Sequence, residues 1–98
     1  MLFIVRFTDD AAMLSVRTQY LAEHIDWLDA NSSLILVAGS LRDEPDSDPI
    51  GATWIVDAPS RDDVIELIQT DPFWIHGLRQ NVEIHFWSKA FPDRQSPV

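Results

Sequence analysis

From Leu2 to Phe7 the chain is rich in β-branched and aromatic residues, and the run closes at Thr8-Asp9-Asp10. Such a segment predicts a first strand. Its period of two puts Phe3, Val5 and Phe7 on one wholly apolar face and Leu2, Ile4 and Arg6 on the other. The apolar set is the face expected to meet helices, so Arg6 is expected on the opposite face of the sheet. Residues from about 12 to 30 contain neither Gly nor Pro and predict a long helix. Arg17, Tyr20, Leu21, His24, Ile25 and Leu28 share one broad side of it, while Glu23, Asp26 and Asp29 belong to solvent. Asn31, a residue that tolerates the left-handed conformation, predicts the helix end. Leu34 to Gly39 and Ile50 to Val56 predict two more strands, joined by an acidic, Pro-containing loop from Arg42 to Pro49. Ser60, with Asp63 three residues on, predicts the cap of a second helix with a Val64, Leu67, Ile68 stripe. Asp71 and Pro72 then read as the cap and first residue of a short helical turn that Gly77 terminates. In the last predicted strand, Asn81 to Trp87, Val82, Ile84 and Phe86 alternate with Glu83, His85 and Trp87.

Strand, helix, strand, strand, helix, strand is the ferredoxin-like βαββαβ order of an α+β domain. Right-handed crossovers place both helices on one face of a four-stranded antiparallel sheet. The other face then carries Leu2, Ile4, Arg6, Glu83, His85 and Trp87. It is too apolar to stay wet, so a second copy of the chain is expected to cover it. Residues 1–91 read as a single domain and 92–98 as a polar, Pro-containing tail.

Composition narrows the partners. A formal net charge of −9 and a single lysine, Lys89, give none of the clustered basic surface that nucleic acid requires. No apolar run approaches the roughly 20 residues that span a bilayer. The apolar start, Met1 to Val5, stops at Arg6 and reads as a strand and not a signal peptide. There is no cysteine, which rules out disulfides and thiolate chemistry and fits a cytoplasmic location. A chain of this size also has little room for a fully enclosed pocket within one protomer.

Two residues stand out for chemistry. His24 lies on the mostly apolar side of its helix; it is either a packed histidine or a general acid/base, since an unperturbed imidazole titrates near neutrality. Asp71 caps its helical turn, but a capping carboxylate that also reaches an imidazole nitrogen would orient that ring. Arg6, Glu83 and His85 share the open sheet face, as an interface network or as part of a cavity between subunits. His76 stands at a helix end, where the dipole favours a cation. The three histidines fit no metal-ligand spacing, the acidic loop lacks the calcium-loop pattern, and three glycines make no phosphate loop.

Taken together, these features resemble the YCII-related domain family. The resemblance rests on the Met-Leu-Phe-Ile-Val first strand, Arg17 seven residues before His24, Ala38-Gly39-Ser40-Leu41, Gly51, Asp71-Pro72, and Val82-Glu83-Ile84 leading to Trp87. It extends over about residues 1 to 91. Ser40 departs from the Pro that many members carry after Ala-Gly, and Asn31 from a common Gly. The resemblance implies a dimeric α+β barrel with a His–Asp active site, here His24 and Asp71. It also implies lyase or isomerase chemistry without a redox cofactor: a dehydrochlorinase of chlorinated hydroxyquinols belongs to the family, and muconolactone isomerases share the barrel. The expected activity is therefore proton abstraction or elimination on a small cyclic or aromatic molecule. His24 and Asp71 are the expected catalytic pair, and Arg6, Arg17, Ser40 and His85 the expected substrate contacts. The rival reading is a non-catalytic ligand-binding or regulatory dimer. A cofactor-independent monooxygenase on the same barrel is a third.

Overall fold

The computed structural model describes all 98 residues. Strand β1 (Leu2–Asp9) is followed by a 3-10 turn (Ala11–Met13), helix α1 (Leu14–Ala30) and strands β2 (Ile35–Leu41) and β3 (Gly51–Asp57). Helices α2 (Arg61–Gln69) and α3 (Pro72–Ile75) and strand β4 (Arg79–Phe86) complete the chain. The strands form one antiparallel sheet in the order β2-β3-β1-β4, so the α+β, ferredoxin-like expectation holds.

The alternation in β1 is realised. Phe3, Val5 and Phe7 are buried with Trp54 and Val56 of β3 and with Val64 and Ile68 of α2. Arg6 is exposed on the opposite face, between Thr53 of β3 and Glu83 of β4. Gly51 is required by the closeness of β1 and β3, because a Cβ there would collide with the Phe7 carbonyl oxygen. Gly77 takes φ +81°, the left-handed value that lets the chain leave α3 for β4.

Several boundaries differ from the sequence expectation. Asp10 accepts from the Ala12 amide (2.9 Å), so a 3-10 turn precedes α1 and the α-helix itself starts at Leu14. Asn31 does not turn left-handed. It sits at φ −106°, ψ 21°, and its side-chain Nδ2 donates to the Trp27 carbonyl (2.8 Å), closing α1 without a left-handed residue. Strand β4 begins two residues early, at Arg79, because an irregularity after Thr8 brings Asp9 opposite Arg79. Leu21 and Ile25, expected in the buried stripe of α1, are about half exposed. The helix packs through Val16 and His24 onto the α3 region, which leaves the flank carrying Leu21 and Ile25 uncovered.

Candidate active site

The site begins at the α2–α3 junction. Thr70 ends α2 and Asp71 caps α3, its Oδ1 accepting from the Phe73 amide at 3.1 Å, with Pro72 at the first helical position. This is the local structure that Asp-Pro encodes. The cap buries Asp71 completely and drives Phe73 into the core.

Helix α1 crosses above this junction. At its C-terminal end Trp27 Nε1 donates to Thr70 Oγ1 (3.0 Å), a strut that sets the height of the helix over α3. One turn earlier, the His24 imidazole stacks on the Phe73 ring (centroids 4.0 Å apart, planes 15° apart). His24 Nδ1 meets Asp71 Oδ1 at 2.7 Å. Sequence reasoning named both residues but not their contact, which joins positions 47 apart in the chain. A carboxylate only accepts, so in this arrangement Nδ1 carries the proton and donates it to Asp71. The other ring nitrogen, Nε2, has no partner in the protein and is not sealed from solvent.

His24 lines a cleft of about 200 Å³ between α1 and β2. Leu21, Ile25, Leu28, Ala38, Pro49 and Trp54 form its apolar walls, and Arg17, Ser40 and Arg42 join His24 as its polar groups. None of the chain's 16 acidic residues lines it. Arg42 is the one cation of this otherwise apolar slot without a carboxylate partner, since Arg17 is ion-paired with Asp9 at 2.7 Å. Arg42 follows directly on β2, and its Nη1 donates to the Ser47 carbonyl at 2.7 Å. It forms no ion pair with the four carboxylates of its own loop, Asp43, Glu44, Asp46 and Asp48. The other sizeable hollow, about 450 Å³, is made by tail residues Ala90 to Arg94 and holds no paired acid/base group.

Of the expected substrate contacts, Arg17 and Ser40 line the cleft. Arg6 and His85 do not. Both stand on the far face of the sheet, where His85 Nε2 lies 3.4 Å from Glu83 and Arg6 makes no hydrogen bond or ion pair. His76 is not free at its helix end, since its ring stacks on Tyr20 at 3.6 Å.

Sequence reasoning missed a second charged layer. Asp9, at the end of β1, binds Arg17 Nη2 through Oδ2 and Arg79 Nη1 through Oδ1, each at 2.7 Å. Both guanidinium carbons lie 5.2 Å from the centroid of the Phe73 ring. Burial pushes the Arg79 guanidinium below its ordinary value, opposed by its hydrogen bond to Asp9 and by the charges of Asp9 and Asp71. The available signal was Arg17, two helical turns before His24 and in need of a counter-ion on a buried side.

Comparison with known proteins agrees with this architecture. No curated protein sequence matches the chain. Among solved structures, it is similar to the 5-chloro-2-hydroxyhydroquinone dehydrochlorinase TftG of Burkholderia phenoliruptrix, determined with 2,5-dihydroxybenzoquinone. The two share 29% identity over 90% of this chain and 94% of that one, with a TM-score of 0.80. SnoaB, a cofactor-independent oxygenase of Streptomyces nogalater, shares the fold at 18% identity over 94% of this chain and 96% of its own, with a TM-score of 0.52. Residues 1–88 match the YCII-related domain, and this chain belongs to that family.

Proposed function

We propose that the protein is a small-molecule enzyme of the lyase or isomerase type, with His24 as the general base and Asp71 as the residue that orients it. The observation carrying this reading is the 2.7 Å Nδ1–Oδ1 contact of a histidine that also lines a cleft with its second nitrogen unpartnered. In this reading Nε2 takes an O–H or C–H proton from the substrate. The released electron pair moves into the ring system. Where the leaving group sits on a ring carbon, that carbon first takes up a proton to become sp3, and loss of the next O–H proton to Nε2 then expels the leaving group with its bonding electrons. The imidazolium then returns its proton to solvent. Asp71 stays on Nδ1 throughout and stabilises the transient cation.

The cleft narrows the substrate class. Its walls are aliphatic and indole surface, and its polar groups are Arg17, Arg42, Ser40 and His24. That lining fits a small flat ring bearing acidic hydroxyl or carboxyl groups. The similarity to a dehydrochlorinase holding a dihydroxyquinone supports the same class. We infer further that a second copy covers the open sheet face, since Ile4, Ile55 and Val37 lie there only part-buried.

The test is turnover of ring-chlorinated hydroxyquinols, followed by chloride release and product absorbance. Turnover by wild type that falls at least about 100-fold in His24→Gln supports the assignment, general-base contributions being about 10²–10⁴-fold. Binding of the same compounds with no chloride release, unchanged in His24→Gln, would leave a ligand-binding module.

A further inference from the structure

Beneath His24 lie three charges that the acid/base reading does not use, Asp9, Arg17 and Arg79, and with Asp71 they make a set of four. The side chains of Asp9, Arg79 and Asp71 are 4%, 0% and 0% exposed, and that of Arg17 is 13% exposed. Two are cationic and two anionic, so the buried set is balanced before His24 binds a second proton. An imidazolium would be a fifth charge and leave the set net positive, so with Asp71 already balanced the cation is reached only transiently, when substrate delivers the proton. Asp71 thus stands between two claimants. Its Oδ1 accepts from His24, while its buried Oδ2 accepts from no group of the chain. Arg79 forms no hydrogen bond with Asp71 but attracts it through space, and its own Nε and Nη2 are likewise buried without partners. The Phe73 ring holds the assembly together, with His24 stacked on it and both guanidinium groups within 5.2 Å of its centroid.

We propose that Arg79, held by Asp9 and assisted by Arg17, is a positioning residue that balances the charge of Asp71 and so keeps His24 neutral, with its proton on Nδ1 and its Nε2 lone pair open to the cleft. A buried Asp–His pair without such a counterweight tends to become a carboxylate–imidazolium ion pair, whose Nε2 already carries a proton and cannot act as a base. Arg79 is suited to the task because a guanidinium does not lose its charge. Its β4 position places it on the side of Phe73 reached from Asp9, out of the cleft lining. The other charged groups near His24 do not fill this role. Arg42 stands at the exposed cleft mouth, Glu23 and Asp26 lie on the exposed side of α1, and His76 is engaged with Tyr20.

The proposal rests on the acid/base reading, and charge variants separate the two. Long-range proton–nitrogen spectra of the ¹⁵N-labelled full chain should show wild-type His24 neutral at pH 7 with the proton on Nδ1. Arg79→Gln makes the set net negative, and the midpoint of His24 titration should rise by about one unit, a tenfold tighter proton. Asp9→Asn makes it net positive, and the midpoint should fall. Arg79→Lys should keep the wild-type midpoint. Opposite signs for Arg79→Gln and Asp9→Asn are the signature, since mere structural damage at one strut would move both the same way. If Arg79→Gln does not fold, Arg17→Gln, less buried and of the same charge, carries the same prediction. A doubly protonated His24 in wild type at pH 7, or equal shifts in the two charge variants, would overturn the proposal. If Asp71→Asn moves the midpoint and the Arg79 and Arg17 variants do not, only the counterweight fails. If Asp71→Asn moves nothing, the acid/base reading itself fails.

Discussion

The two faces of the sheet each carry a histidine beside a carboxylate, and the contrast between them separates a candidate site from a surface contact. On the helix side, His24 and Asp71 meet at 2.7 Å with side chains 8% and 0% exposed. On the open side, His85 and Glu83 stand 3.4 Å apart with side chains 65% and 51% exposed. The chemical groups are alike; water makes the difference. The exposed pair is screened and free to choose other rotamers, so its coupling is weak. The buried pair is held by a helix cap, an aromatic stack and the Trp27–Thr70 strut, and it has no solvent to replace a lost partner.

The largest expected effect is on turnover. His24→Gln should remove at least about 100-fold of any proton-transfer activity. His85→Gln should leave it within a factor of about two. An equal loss in both variants would abolish the distinction between the faces.

Next comes stability. Asp71→Ala removes a helix cap and leaves both His24 Nδ1 and the Phe73 amide unpaired in the interior, and should cost about 2–4 kcal/mol by denaturant unfolding. Glu83→Ala should cost less than about 0.5 kcal/mol. Similar values for the two would show that burial is not what distinguishes the pairs.

The open face offers a third way to sharpen the contrast. Ile55 pairs with Ile4 at the centre of that face. Ile55→Lys should convert a dimer to a monomer in sedimentation while the helix-side core stays folded. A wild-type chain that sediments as a monomer at micromolar concentration would contradict the covering of this face by a second copy.

The sheet was legible because its signal is local. Phe3, Val5 and Phe7 alternate with Leu2, Ile4 and Arg6, and that pattern alone separates the faces. The Asp71-Pro72 cap and the Gly77 exit were legible for the same reason, each being a one-turn motif. The family resemblance named His24 and Asp71 as a pair, but their contact was not legible, because it depends on how α1 crosses the α2–α3 junction. Arg79 was wholly hidden. It follows the turn at Gly77 and precedes an alternating run, and nothing in that context marks it as buried; only the irregularity after Thr8 brings it to Asp9. Leu21 and Ile25 show the converse. Helical spacing assigned them to the buried side, but spacing cannot say where the layer beneath a helix stops, and here it stops at the cleft.

The most direct test of the central claim is a pH titration of His24 and His85 by NMR in wild type and in Asp71→Asn. The account predicts that the His24 midpoint falls clearly in the variant while the fold persists and His85 titrates as before. Identical His24 titrations in the two proteins would contradict it, reducing Asp71 to a helix cap and His24 to a packed core histidine.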